Sequence, residues 1–265
     1  MDWCRDIRGS FVGEKYIEFI GVSKAFADHP VLDNVSFQVE RGQTAVIMGR
    51  SGVGKSVSLK HIMGFLKPDA GRIIVAGQDI TDMDEDQLVS IRKRVTMVFQ
   101  SGALFDSLTV GENIAFPLEE HETITADEID ARVRELAEML EVTDQLDRLP
   151  SELSTGTKRN VAIARALAQD PEAILYDEPT TMVDPLMATH TGDLILKLKE
   201  TLHKTSIVVT HDTHLAKKLG DIVIFLQDGR VSFFGPWKDF EATKDPFLRN
   251  FRLLDELIPE LDVTA

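Results

Sequence analysis

The sequence contains one cysteine, Cys4, so no internal disulfide framework can form, and a lone thiol suits a reducing compartment. Long apolar runs are missing as well: no segment approaches the ~20 apolar residues that span a bilayer. The opening stretch MDWCRDIRGSFVGEKY has neither the basic start nor the apolar run of a secretory signal. Positive charge is scarce, since 29 Lys and Arg stand against 44 Asp and Glu, a formal net charge of −15 at pH 7. That balance opposes the phosphate neutralisation on which nucleic-acid binding depends, so no nucleic-acid partner is expected. There is no internal repeat and no low-complexity tract. These absences describe a cytosolic chain that would reach a membrane only through a partner.

What is present is material for a large core: 265 residues, 43% of them hydrophobic. Short β-rich runs lie at 16–22, 31–39, 44–49, 72–77, 94–100, 173–177, 206–210, 222–229 and 230–235. The continuous apolar character of AVIM, AILY and IVV fits strands buried on both faces of a parallel sheet, and the last two runs predict a hairpin across Asp228-Gly229. The expectation is an α/β core with antiparallel edges, occupying residues 1–240. Between about 101 and 170 the pattern turns helical, with Ile129, Val133, Leu136 and Leu140 on one face, which reads as a helical subdomain inserted into that core. Residues 241–265 form an amphipathic tail carrying Phe247, Phe251, Leu254 and Leu257, read as a helix docked on its own domain.

The strongest chemical signal is GRSGVGKS, directly after the strand TAVIM and before the helical run VSLKHIMGFL. The spacing is that of a phosphate loop, in which glycines let backbone N–H groups curl around phosphates. Gly49, Arg50, Ser51, Gly52, Val53, Gly54, Lys55, Ser56 and Val57 are the candidate ATP-binding residues. Lys55 would hold the β- and γ-phosphates, and Ser56 would ligate Mg²⁺. A second apolar strand, AILYD, ends in Asp177-Glu178, which suits one acid to the metal and the next to the role of general base. A third, SIVVT, delivers His211 to the same edge. In SELSTGTKRNVAIARALA, Ser154 is a good N-cap for a helix that would aim its backbone donors and positive dipole end at an anion.

Together these pieces resemble the ABC-transporter ATPases over nearly the whole chain, from about residue 16 to 240. The resemblance implies a P-loop NTPase fold with a RecA-like parallel sheet, an antiparallel β edge and the inserted helical subdomain. It implies that Phe26 stacks on adenine, and that Gln100 joins the metal site to the helical subdomain. His211 matches the family's switch histidine. LSTGT takes the place of the family's signature and TMVD that of its D-loop, so that Ser154, Thr155, Gly156 and Asp184 would contact the ATP of a second subunit in a head-to-tail homodimer. Residues 98–121 are very similar to the corresponding stretch of ATPases from the Mla/Mce lipid-transport systems. That similarity implies an integral membrane permease and an MCE-domain lipid-binding protein as partners, and a peripheral place on the cytoplasmic face of the inner membrane.

The chain departs from the family at several positions: Val57 removes a hydroxyl beside Ser56, Met182 and Val183 alter the D-loop, and Thr155, Thr157 and Asn160 alter the signature. Two rival readings share the motifs: a soluble ATPase of cofactor assembly, and a nucleotide-binding regulatory module without turnover.

Overall fold

In the strand Thr44–Met48 every residue is buried, but alternate side chains enter different cores. Ala45 and Ile47 join one apolar cluster, whereas Val46 and Met48 join another. The same alternation recurs in Ala173–Asp177 and Ile222–Gln227, as expected of strands covered on both faces. The computed structural model describes residues 13–119 and 124–261, and side chains up to residue 253.

The chain opens with the antiparallel pair Lys15–Phe26 (β1) and His29–Glu40 (β2), followed by Thr44–Met48 (β3) and the helix Lys55–Ile62 (α1). Next come Ala70–Val75 (β4), Gln78–Asp79 (β5), Glu85–Arg92 (α2) and Val95–Val98 (β6). Three helices succeed one another before the chain returns to the sheet: Val110–Glu119 (α3), Ala126–Met139 (α4) and Thr155–Leu167 (α5). The rest alternates: Ala173–Asp177 (β7), Pro185–Leu202 (α6), Thr205–Val209 (β8), Thr213–Leu219 (α7), Ile222–Gln227 (β9) and Arg230–Pro236 (β10). Trp237–Ala242 (α8) and Pro246–Leu261 (α9) close the described chain.

One sheet has the order β10-β9-β3-β8-β7-β6, with parallel pairing throughout except between β9 and β10. Asp228 and Gly229, at φ 50° and 75°, make the expected two-residue turn of that hairpin. The other antiparallel strands do not edge this sheet. They form a second sheet of order β2-β1-β4-β5, so the expected antiparallel strands are divided between the β9–β10 edge of the parallel sheet and this separate sheet. Arg41 and Arg94 both donate to Glu172, tying the end of β2 to the strands β6 and β7.

Helix α1 is shorter than the predicted run, ending at Ile62 because Gly64 turns into the left-handed region at φ 68°. Helices α3 to α5 run between the adjacent strands β6 and β7, and α4 buries Val133 and Leu136 with Leu140 at its C-cap, Ile129 packing beside them. In the tail, Leu248 is buried, and Phe247 and Phe251 set their rings edge-on to Phe225 of β9, at 6.2 and 4.9 Å. The tail thus docks on its own chain. The predicted contacts of Leu254 and Leu257 lie outside the described side chains.

Candidate active site

Strands β3, β8 and β7 are consecutive neighbours and parallel, so their C-terminal ends share one edge, the place where open α/β sheets bind ligands. The loop leaving β3 carries three left-handed glycines, Gly49 at φ 145°, Gly52 at 82° and Gly54 at 101°. At Gly54 a Cβ would also lie 2.6 Å from Leu32 Cδ2, and at Gly49 it would collide with the carbonyl of Leu226. Conformation and crowding together therefore demand glycine there.

Lys55 is buried and folds back over this loop, its Nζ donating to the carbonyls of Gly49 (2.8 Å) and Arg50 (3.2 Å). The same ammonium lies 3.4 Å from Glu178 Oε1. Ser56 Oγ donates to Asp177 Oδ1 at 2.7 Å. Burial pushes the Asp177 carboxyl up, and the charge of Glu178 adds to this against the Ser56 hydrogen bond. Burial also pushes Glu178 upward, but His211, Lys55 and Thr181 together outweigh it and hold the carboxyl below its usual range. His211 Nδ1 is 2.9 Å from Glu178 Oε2, and Thr181 Oγ1 donates to the same oxygen at 3.1 Å.

These groups surround a cavity of about 510 Å³. Of the residues singled out in the sequence, Arg50, Ser51, Gly52, Gly54, Lys55, Ser56, Val57, Gln100, Glu178 and His211 line it. Gly49 and Val53 belong to the loop behind it, and Asp177 sits beneath Ser56. Phe26, exposed at the end of β1 with Lys24 Nζ 5.9 Å from its ring, is not part of the lining. Arg50 extends from the loop to stack its guanidinium 5.1 Å from the ring of Phe247 in α9.

Ser154, Thr155, Gly156 and Asp184 lie outside the cavity as well. Ser154 caps α5, accepting from Thr157 N at 3.1 Å, and Thr155 opens the helix. Gly156 is buried against Met187, whose Cε a Cβ would strike. Asp184 caps α6 by accepting from Met187 N at 3.0 Å.

Two residues escaped sequence reasoning. Thr181 is one of two hydroxyls in PTT, and Arg159 is one of two cations in the polar run TKRN, so neither has a distinguishing pattern. Arg159 is 2% exposed and donates to the carbonyls of Glu178 (2.9 Å) and Thr181 (3.3 Å).

The oxygens of Ser56 and Asp177 fit a hard divalent cation, and among the described residues there is no cluster of three or more His, Cys, Asp or Glu able to hold one alone. A hydroxyl and a carboxylate oxygen 2.7 Å apart are hard donors of the kind Mg²⁺ takes.

A second cavity, of about 400 Å³, lies near residues 98–121, with Met97, Phe99, Phe105, Phe116 and Arg165 among its lining. The rings of Phe105 and Phe116 stand 4.6 Å apart and are both exposed, whereas Leu104 is half-buried and packs against the core.

Residues 32–181 match the family model described as ABC transporter. The intermembrane phospholipid transport ATP-binding protein MlaF of Haemophilus influenzae is 38% identical over 88% of this chain and 89% of its own length. The methionine import ATP-binding protein MetN of Brucella abortus is 37% identical over 92% of this chain, which spans 66% of that relative. The post-hydrolysis dimer of the ATP-binding cassette MJ0796, bound to ADP and phosphate, superposes with a TM-score of 0.76 at 33% identity, over 83% of this chain and 98% of its own. The chain belongs to the ABC transporter family, as one of its ATPase subunits.

Proposed function

We propose that the chain closes as a homodimer on two ATP molecules, and that closure and hydrolysis drive an integral membrane permease carrying phospholipid, in company with an MCE-domain lipid-binding protein. One observation carries the catalytic part: the Glu178 carboxylate sits on the cavity of the phosphate loop, between His211 Nδ1 at 2.9 Å and Lys55 Nζ at 3.4 Å. An ionised carboxylate so placed can take a proton from a water attacking the γ-phosphate. Lys55 and the N–H groups of residues 49–57 would hold the phosphates, Phe26 would face adenine, and His211 would sense the γ-phosphate. Ser56 and Asp177, with Gln100 beside them, would hold Mg²⁺, which when bound offsets the negative charge of the phosphates. The exposure of Ser154, Thr155 and Asp184 outside their own chain's cavity supports assigning them, with Gly156, to the ATP of a second copy.

The lipid reading is supported by the likeness to MlaF and by the stretch 98–121, whose exposed Phe105 and Phe116 offer an apolar seat for a permease helix. Such docking would place the subunit on the cytoplasmic face of the inner membrane. Among the described residues no helix is long and apolar enough to cross one. The equally close likeness to MetN supports a second reading, an importer of an amino acid such as methionine. Purification from membranes with associated proteins separates the readings. An MCE-domain protein supports lipid, a solute-binding protein supports import, and no integral protein supports cofactor assembly. ATP hydrolysis by the assembled complex eliminates a purely regulatory module.

A further inference from the structure

Glu178 has φ 47° and Met182 φ 64°, so a turn of five residues carries two side chains in the left-handed region that non-glycine residues seldom enter. Something must hold it. The N–H of Glu178 is fixed to Val209 O of β8 at 2.9 Å, and the turn is closed by Thr181 N donating to Glu178 O at 3.2 Å. Beside the bond from Thr181 Oγ1 to the Glu178 carboxylate, a further anchor comes from α5: one guanidinium, that of Arg159, donates to both Glu178 O and Thr181 O. The first bond orients the peptide plane that follows Glu178 and so sets its ψ. The second orients the peptide leading into Met182. The planar fork of arginine meets the two acceptors with two separate nitrogens, a spacing that a single ammonium nitrogen lacks.

Arg159 has no carboxylate partner among the described residues, and burial pushes its pKa down although the group stays charged. A buried, unpaired cation is costly and is not what a stable core would select. Among the described residues its hydrogen bonds go to the backbone of the turn that presents Glu178.

We propose that Arg159 is a positioning residue for Glu178, its guanidinium clamping the 178–182 turn so that the carboxylate is held toward the phosphate loop. This rests on the reading of Glu178 as general base. The test compares steady-state ATP hydrolysis, apparent ATP KM and thermal melting for the 265-residue chain carrying Arg159→Met, Arg159→Lys or Glu178→Gln. Arg159→Met should lower kcat by ~10- to 100-fold, part of the contribution of a well-placed base, with KM changed less than about threefold. Arg159→Lys, which keeps the charge and N–H donors but not the planar fork, should recover part of the lost kcat.

Wild-type kcat in Arg159→Met while Glu178→Gln is inactive would overturn the clamp alone. Wild-type turnover in Glu178→Gln would remove the base reading and the clamp's purpose with it. A loss of kcat in Arg159→Met matched by an equal change in KM, with no recovery by lysine, would also overturn the proposal. If Arg159→Met does not fold, Arg159→Lys decides: reduced kcat at unchanged KM and melting temperature supports the clamp, and unchanged kcat overturns it.

Discussion

Glu178 Oε2 and His211 Nδ1 lie 2.9 Å apart at the ends of adjacent strands β7 and β8, with Lys55 on the other carboxylate oxygen. The carboxyl is thereby kept ionised, the state a base requires. Glu178→Gln retains the shape of the site but cannot accept a proton. Turnover should fall by ~10²- to 10⁴-fold while ATP binding persists, so the ATP-bound dimer accumulates. Equilibrium nucleotide binding beside steady-state hydrolysis checks this, and wild-type turnover refutes the assignment.

Gly156 faces Met187 of its own chain, which separates two reasons for a glycine there. Met187 is flexible, so Gly156→Ala should fold with a melting temperature a few degrees lower at most, the methionine moving aside. Gly156→Asp places a negative charge at the positive end of α5 where phosphate is proposed to approach, and should nearly abolish hydrolysis in the assembled complex. Thr155→Gly should change it only modestly, since Thr155 opens the helix and the difference in propensity is ~0.7 kcal/mol or less. Full activity in Gly156→Asp would show that this helix does not meet nucleotide.

Phe105 and Leu104 are neighbours that differ, the first exposed and the second half-buried against the core. Phe105→Asp should release the subunit from its membrane partner with melting unchanged. Leu104→Asp should instead lower the melting temperature, because it removes an apolar side chain that packs against the core and sets a charge there. Co-purification and thermal melting of both variants decide the matter. Retention of the partner by Phe105→Asp argues against docking at this face.

Glu172 accepts hydrogen bonds from Arg94 and Arg41, which hold its carboxyl at about 2, well below its ordinary 4.5. A depressed carboxyl stabilises the fold above its unfolded pKa and loses that contribution as pH falls toward the folded value. Melting temperature should therefore drop between about pH 4.5 and 2, and Glu172→Gln should be less stable at neutral pH and lose less across that window. Parallel pH dependences in the two proteins would show that the cluster contributes nothing.

The phosphate loop was legible because its chemistry fixes both spacing and residue type, and its flanking strand and helix announce themselves by apolar continuity. Asp177, Glu178 and His211 were legible for a related reason, each following a short apolar strand. The second sheet was not: whether β1, β2 and β4 pair among themselves or edge the parallel sheet depends on long-range register that short windows do not contain. Strand β5, two residues long, is too brief for any periodicity. Arg159 was hidden because its partners are main-chain carbonyls 19 and 22 residues away, and a carbonyl leaves no trace in residue identity.

The position of β3 between β8 and β9 has a consequence for synthesis. The strand that launches the phosphate loop is made early, yet both of its neighbours come more than 150 residues later, and Gly49 packs on the carbonyl of Leu226. At a ribosomal rate of ~5–20 residues per second, the loop would wait roughly 10 to 35 seconds for its supports, its apolar strand meanwhile unpaired. A nascent chain halted before β9 should hold the complete loop motif and bind no nucleotide.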